Sequence, residues 1–249
     1  MSLTIFNSII TAFKFLTILP LGGYLPDERA IGKSIVFFPF VGITIGGILY
    51  ISDYLLSTIF TRSVVDALLI TVLVIITGGL HIDGFADTVD GIAGGKNPQD
   101  RLRIMKESNI GAVGVSCVVL LLLIKYSALL SIIEVQKGGA LLMAPMISRW
   151  SQVQAICMGK SAREDGLGRI FIENGSAVKF LFATAFVTSM TIFVLPLIKV
   201  LLLLAIIFII SLIFLVFFNR MFNGVTGDAI GSVSEINEVI VLLVLLAMQ

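Results

Sequence analysis

Residues 178–218 read VKFLFATAFVTSMTIFVLPLIKVLLLLAIIFIISLIFLVFF. The run holds 41 residues and only two charges, Lys179 and Lys199. As one helix it would extend roughly 60 Å at 1.5 Å per residue, about twice the hydrocarbon thickness of a bilayer. It therefore cannot be a single crossing. Pro196 disfavours helical geometry at the residue before it, and Lys199 follows three positions later, so the run divides into two spans joined by a tight turn.

Comparable apolar stretches lie on the N-terminal side at 35–59, 64–82, 110–133 and 138–158, and a further one begins near Asp228. With 178–195 and 200–218 they predict an all-α, polytopic transmembrane helical bundle of six to seven spans. The composition agrees: 57% of the residues are hydrophobic, 13% are charged and the mean hydropathy is +1.07. No stretch remains for a separate soluble domain, so residues 1–249 are expected to form a single integral membrane domain. Within it, 1–30 reads as an interfacial or peripheral helix and loop, and 35–249 as the transmembrane bundle. In the first segment Ile5, Ile9, Phe13 and Leu16 recur at helical spacing, with neither a basic start nor a cleavage site of the kind a removable signal carries.

Lys and Arg flanking the spans are retained in the cytoplasm. Of the 17 such residues, twelve fall on one side of this arrangement, and only Arg62, Lys137 and Lys199 on the other. The two long polar loops, 94–109 and 159–177, lie on the richer side. The expected location is the cytoplasmic membrane, with the polar loops facing the cytoplasm. A net charge of +1 provides no basic field for nucleic acid, so none is expected as a partner. Cys117 and Cys157 sit in apolar runs without metal or redox spacing.

The segment 78–95, GGLHIDGFADTVDGIAGG, carries Asp83, Asp87 and Asp90 at the cytoplasmic end of the second span. The spacing i, i+4, i+7 puts them on one stripe of a helix. Capping, or pairing with Lys96 or Arg101, would account for one aspartate; three on one stripe at a membrane boundary call for a cation. Mg²⁺ prefers hard oxygen donors and takes one or two carboxylates, completed by water and phosphate oxygens. His81, the sole histidine, is a candidate general acid or base. The segment 223–238, NGVTGDAIGSVSEINE, offers a second oxygen-rich end through Asn223, Thr226, Asp228 and Glu235. Thr226 or Asp228 could equally be a helix N-cap. Arg101, Arg103, Lys106 and the intramembrane pair Ser148-Arg149 are suited to anionic oxygens, Arg149 bidentately. No Walker loop, HExxH or nucleophile elbow is present, which leaves metal-assisted phosphoryl transfer from a diphosphate. The two acidic clusters are expected to share one cavity, on helices packed side by side.

These segments, together with Phe15-Leu16-Thr17-Ile18-Leu19-Pro20, Phe38-Pro39-Phe40-Val41-Gly42 and RIMKESNIGAVGV at 103–115, resemble the adenosylcobinamide-GDP ribazoletransferase (cobalamin synthase) family from end to end. The chain departs from that pattern at Phe85, Asn109 and Ala229, where Leu, Arg and Thr are more frequent. The resemblance implies a Mg²⁺-dependent integral membrane transferase. It would join a nucleotide-activated corrinoid, adenosylcobinamide-GDP, to α-ribazole or its 5′-phosphate and release GMP. Transferred residue by residue, Asp83, Asp87 and Asp90 would hold metal, with Asp228 and Glu235 completing the metal or diphosphate site. Arg101, Arg103, Lys106, Ser108, Asn109, Ser148, Arg149, Asn223 and Thr226 would bind substrate, and His81 or an aspartate would serve as base. The partners implied are the two small molecules and the lipid bilayer, and an oligomer is compatible with the sequence. Two rivals differ in spacing or depth. A CDP-alcohol phosphotransferase would carry its aspartates as a longer series within one helix pair, and a cation transporter would place carboxylates at mid-membrane.

Overall fold

A computed structural model describes residues 2–22 and 28–249 of the chain. Helices α1 (Ser2–Leu16) and α2 (Glu28–Ser34) lead through a 3₁₀ turn, Ile35–Phe37, into α3 (Phe38–Leu56). There follow α4 (Arg62–Thr77), α5 (Leu80–Gly94), α6 (Pro98–Ile104), α7 (Ala112–Ser131) and α8 (Glu134–Met158). The chain continues as α9 (Leu167–Glu173), α10 (Ala177–Ile192), α11 (Leu197–Phe222) and α12 (Gly227–Ala247). Among the described residues the only β pairing is one isolated parallel bridge, Ser161 to Val225.

Four helical stretches, 28–56, α7, α11 and α12, are long and apolar enough to cross a membrane, and two sharply bent pairs raise the number to six. One pair is α9 and α10, the other α4 and α5. The expected turn near Pro196 is present: α10 stops at Ile192 and Pro196 is the N-cap of α11.

Helix α8 is the centre of the bundle. Every residue from Met143 to Ile156 is buried, including Ser148, Arg149, Gln152 and Gln154. Helix α3 lies directly on it, because Gly42 and Gly46 have no side chain to hold the backbones apart. A Cβ at Gly42 would stand 2.5 Å from the Pro145 carbonyl oxygen, and one at Gly46 would stand 2.6 Å from that of Leu141. Small residues permit such approach in lipid, where dispersion contacts replace the hydrophobic drive. Gly47, next in the chain, faces open space.

The second span does not run on into the acidic segment, as the sequence reading has it. Helix α4 ends at Thr77, and α5 departs at 88°. Gly78 (φ 62°) and Gly79 (φ 69°) are both left-handed, and their N–H groups donate to the carbonyls of Ile75 and Val74. Two successive left-handed residues end a helix cleanly, and glycine adopts them without the Cβ penalty. The aspartate stripe therefore belongs to a separate helix set across the end of α4.

The two ends of the bundle differ in chemistry. At one end Arg101 Nη1 donates to the Met221 carbonyl (3.0 Å), Lys106 pairs with Asp165 (3.1 Å), and the Ser161–Val225 bridge ties the loop after α8 to the entry of α12. Lys106 holds the exposed Asp165 carboxyl below the usual carboxylate range. At the opposite end Asp66, fully buried, accepts from Arg62 (2.7 Å) and Lys137 (2.9 Å), and Arg62 also pairs with Asp53 and Glu134.

Candidate functional site

Helices α5 and α12 meet along their small residues. A Cβ at Gly84 would lie 2.9 Å from the Asp228 Cα, and one at Gly231 would lie 3.3 Å from the His81 Cα. The hydroxyl of Ser232 donates to the Gly84 carbonyl at 3.2 Å. The two acidic segments thus lie side by side, although about 140 residues separate them in the chain.

Within this junction the three aspartates of the stripe have different surroundings. Asp90 accepts from the backbone N–H groups of Gly111 (2.6 Å) and Gly114 (2.8 Å), so its carboxylate caps the first turn of α7 from a neighbouring helix. That placement satisfies orphan N–H groups and favours negative charge at the positive end of the helix. Gly111 and Gly114 are required there, since a Cβ on either would collide with Asp90. Asp83 is exposed and Asp87 half-buried; among the described residues neither makes a side-chain hydrogen bond or ion pair. Asp83, Asp90 and Asp228 are all close enough to act on Asp87 through like charge. Asp228 is held by Arg163, Nη1 to Oδ2, at 3.1 Å.

Among the described residues no three His, Cys, Asp or Glu side chains converge as a complete metal cage. The donor chemistry nevertheless fits a hard divalent cation of low protein coordination number. Asp83 and Asp87 are unengaged carboxylates one turn apart, and Mg²⁺ typically keeps water and substrate oxygens in its remaining positions.

The other predicted residues fall into separate places. His81 is buried, with Nε2 2.9 Å from the amide nitrogen of Gln152. Thr226 is the N-cap of α12, accepting from Ala229 N–H at 3.1 Å, and Asn223 is the left-handed C-cap of α11. Arg103 pairs with Glu107, and Ser108 and Asn109 are exposed on the loop before α7.

Glu235, Ser148 and Arg149 are not at the stripe. They belong to a layer of charge sealed inside the bundle. Lys125 Nζ donates to Glu235 (2.9 Å) and Glu238 (3.0 Å), and Arg149 Nη1 donates to Glu238 (2.5 Å). Ser148 also donates to Glu238 (3.2 Å). Two cations and two anions face each other here with no outlet to solvent, and Arg149 is 0% exposed. No motif in the sequence marks Glu238, but Lys125 stands alone within the apolar stretch 110–133. An intramembrane lysine demands a partner, and that demand is the signal by which Glu238 could have been found. Gln152 and the Arg163–Asp228 pair carried no comparable signal.

A cavity of about 230 Å³ opens beneath the loop 161–169, with His81, Gln152, Arg163, Thr226 and Asp228 in its wall. Asp83, Asp87 and Arg149 are not among the residues of that wall, so the two acidic clusters do not share this one cavity. Asp228 belongs to the cavity and acts electrostatically on both Asp83 and Asp87, so it links the two halves.

Fold and site define a polytopic helical membrane protein with paired acidic helices and clustered cations at one polar end, suited to handling phosphate oxygens. The sequence pattern of the cobalamin-5-phosphate synthase family matches residues 8–246, and the chain belongs to that family. It is 41% identical to the adenosylcobinamide-GDP ribazoletransferase of Geotalea daltonii over 95% of each chain. With the protein of the same name from Caldanaerobacter subterraneus it shares 35% identity over 94% of this chain and 95% of the relative. For that of Clostridium tetani the figures are 33%, 98% and 97%. No solved structure matches the chain.

Proposed function

We propose that the chain is a Mg²⁺-dependent adenosylcobinamide-GDP ribazoletransferase of the cytoplasmic membrane, working at its polar, cytoplasm-facing end. A hydroxyl of α-ribazole, or of its 5′-phosphate, attacks the phosphorus on the corrinoid side of the diphosphate. A new P–O bond forms, the bond between the two phosphates breaks, and GMP leaves. The hydroxyl proton passes to a base drawn from Asp83, Asp87 and His81.

The observation that carries this reading is the pair of unengaged carboxylates, Asp83 and Asp87, beside the Arg163–Asp228 ion pair. Asp83 and Asp87 would hold the cation, which when bound would neutralise diphosphate charge. Arg163, Arg101 and Lys106 provide positive charge on the same end of the bundle for phosphate oxygens. The sealed layer formed by Lys125, Glu235, Glu238 and Arg149 supports the bundle behind the site.

The decisive experiment is GMP release by the purified protein in lipid nanodiscs. Release should require adenosylcobinamide-GDP, α-ribazole and Mg²⁺ together. Release at the same rate without α-ribazole would make the protein a hydrolase and defeat the transfer reading.

A further inference from the structure

The cavity under the loop 161–169 concentrates a rare kind of atom. His81 Nδ1, Gln152 Oε1, and Nε and Nη2 of Arg163 are all buried without a hydrogen-bond partner, and all belong to residues of its wall. His81 and Gln152 are 3% and 1% exposed. An unpartnered buried polar atom costs about 1–3 kcal/mol, so natural proteins keep few of them and usually for a ligand or a bound water. These four, with Asp228 Oδ2 met only by the ion pair to Arg163, make five around one small space and point to something polar that enters it.

The rest of the wall sets apolar side chains beside a polar rim of Ser161, Asp165, Arg169, Thr226 and Asp228. Phe15, Leu167 and Ile230 line the cavity, and the Phe15 ring is fixed by Phe171 at 4.5 Å and Phe38 at 5.9 Å between centroids. Apolar faces with a few convergent polar atoms are the usual build of a site for a flat heterocyclic ligand. A diphosphate would not choose this wall, since its two arginines, Arg163 and Arg169, are already paired with Asp228 and Glu173, and two carboxylates, Asp165 and Asp228, stand in the same wall.

We infer that this cavity is the subsite for the nitrogen heterocycle of the acceptor nucleoside, with the His81–Gln152 pair reading the polar edge of the ring and Arg163 guarding the mouth. The inference rests on the transfer reaction proposed above. It assigns Gln152 and Phe15 to substrate binding, and it separates an acceptor side of the site from the phosphate side at Asp83 and Asp87. Arg163 stands between the two, since it faces the cavity and also holds Asp228. With His81 turned to the heterocycle, the proton of the attacking hydroxyl goes to one of the two aspartates.

Calorimetric titration of the nanodisc-embedded protein with α-ribazole alone and with GDP alone tests the assignment. Gln152→Leu removes the polar edge, and Leu167→Trp fills the cavity from the half-exposed first residue of α9. Both variants should raise the Kd for α-ribazole at least tenfold while leaving that for GDP within twofold. In turnover, KM for α-ribazole should rise more than kcat falls. An unchanged α-ribazole Kd in Leu167→Trp, or parallel weakening of both ligands in both variants, would overturn the subsite. Wild-type protein that binds neither ligand and releases no GMP would overturn the reaction and the subsite with it.

Discussion

Asp90 and its two neighbours on the stripe show how one residue type divides its labour. Asp90→Ala should destabilise the protein by about 2–4 kcal/mol, because two charge-assisted bonds to the start of α7 are lost together. Asp83→Asn and Asp87→Asn should leave the thermal midpoint in detergent nearly unchanged while lowering kcat by about 10²-fold or more. Near-normal turnover in both would remove the cation from the proposal. The sequence places the three aspartates on one stripe, and the helix confirms that geometry. What it does not disclose is that Asp90 is already engaged, since its partners are backbone N–H groups 21 and 24 residues away. Arg149 teaches the same lesson: its need for a partner was legible, but not that Glu238, rather than a phosphate, meets it. Intramembrane charge identifies itself by residue type, whereas its partner depends on which helices cross, which periodicity cannot give.

At the scale of elements, the site depends on the closeness of α5 and α12. Gly84→Ala would set a methyl group 2.9–3.0 Å from the backbone of Asp228, where no side chain can yield. The helices must part, at a cost of about 1–3 kcal/mol by analogy with overpacked cores, and activity should fall with them. Gly47→Ala is the control: it meets open space, should stabilise or do nothing, and should keep full activity. Comparing the two variants by thermal melting and GMP release separates helix packing from helix propensity. The sequence locates these helices well, because apolar length is a strong signal. It misses the right angle between α4 and α5, since a continuous apolar run carries no mark of direction unless Gly78-Gly79 is read as two left-handed residues.

For the whole molecule, the distribution of cations anticipates the arrangement of loops. Loops at 94–109, 159–176 and 223–226 do meet at one end, tied by Arg101 to Met221, Lys106 to Asp165 and Ser161 to Val225. In a background lacking Cys117 and Cys157, cysteines at Asn97 and Ser161 should react with a membrane-impermeant maleimide only from the cytoplasmic face. One at Val135, which is 86% exposed at the other end, should react only from outside. Labelling of all three from one face would invert or break the proposed topology.

The sealed layer of charge also sets a condition on how the chain is made. Lys125, on the membrane-crossing α7, and Arg149, on the buried central helix α8, are made well before the carboxylates that neutralise them, because Glu235 and Glu238 arrive only with α12. Each unpaired cation near the centre of a span opposes insertion by about 2.5–3.5 kcal/mol, which the leucine-rich remainder of α7 can offset more easily than the polar α8. During synthesis the ribosome-bound intermediate therefore carries two uncompensated cations in its nascent bundle. A chain ended after Val225 should persist in that state and be degraded quickly in cells, whereas Lys125→Met with Arg149→Met should lengthen the lifetime of the same truncated chain in a pulse-chase.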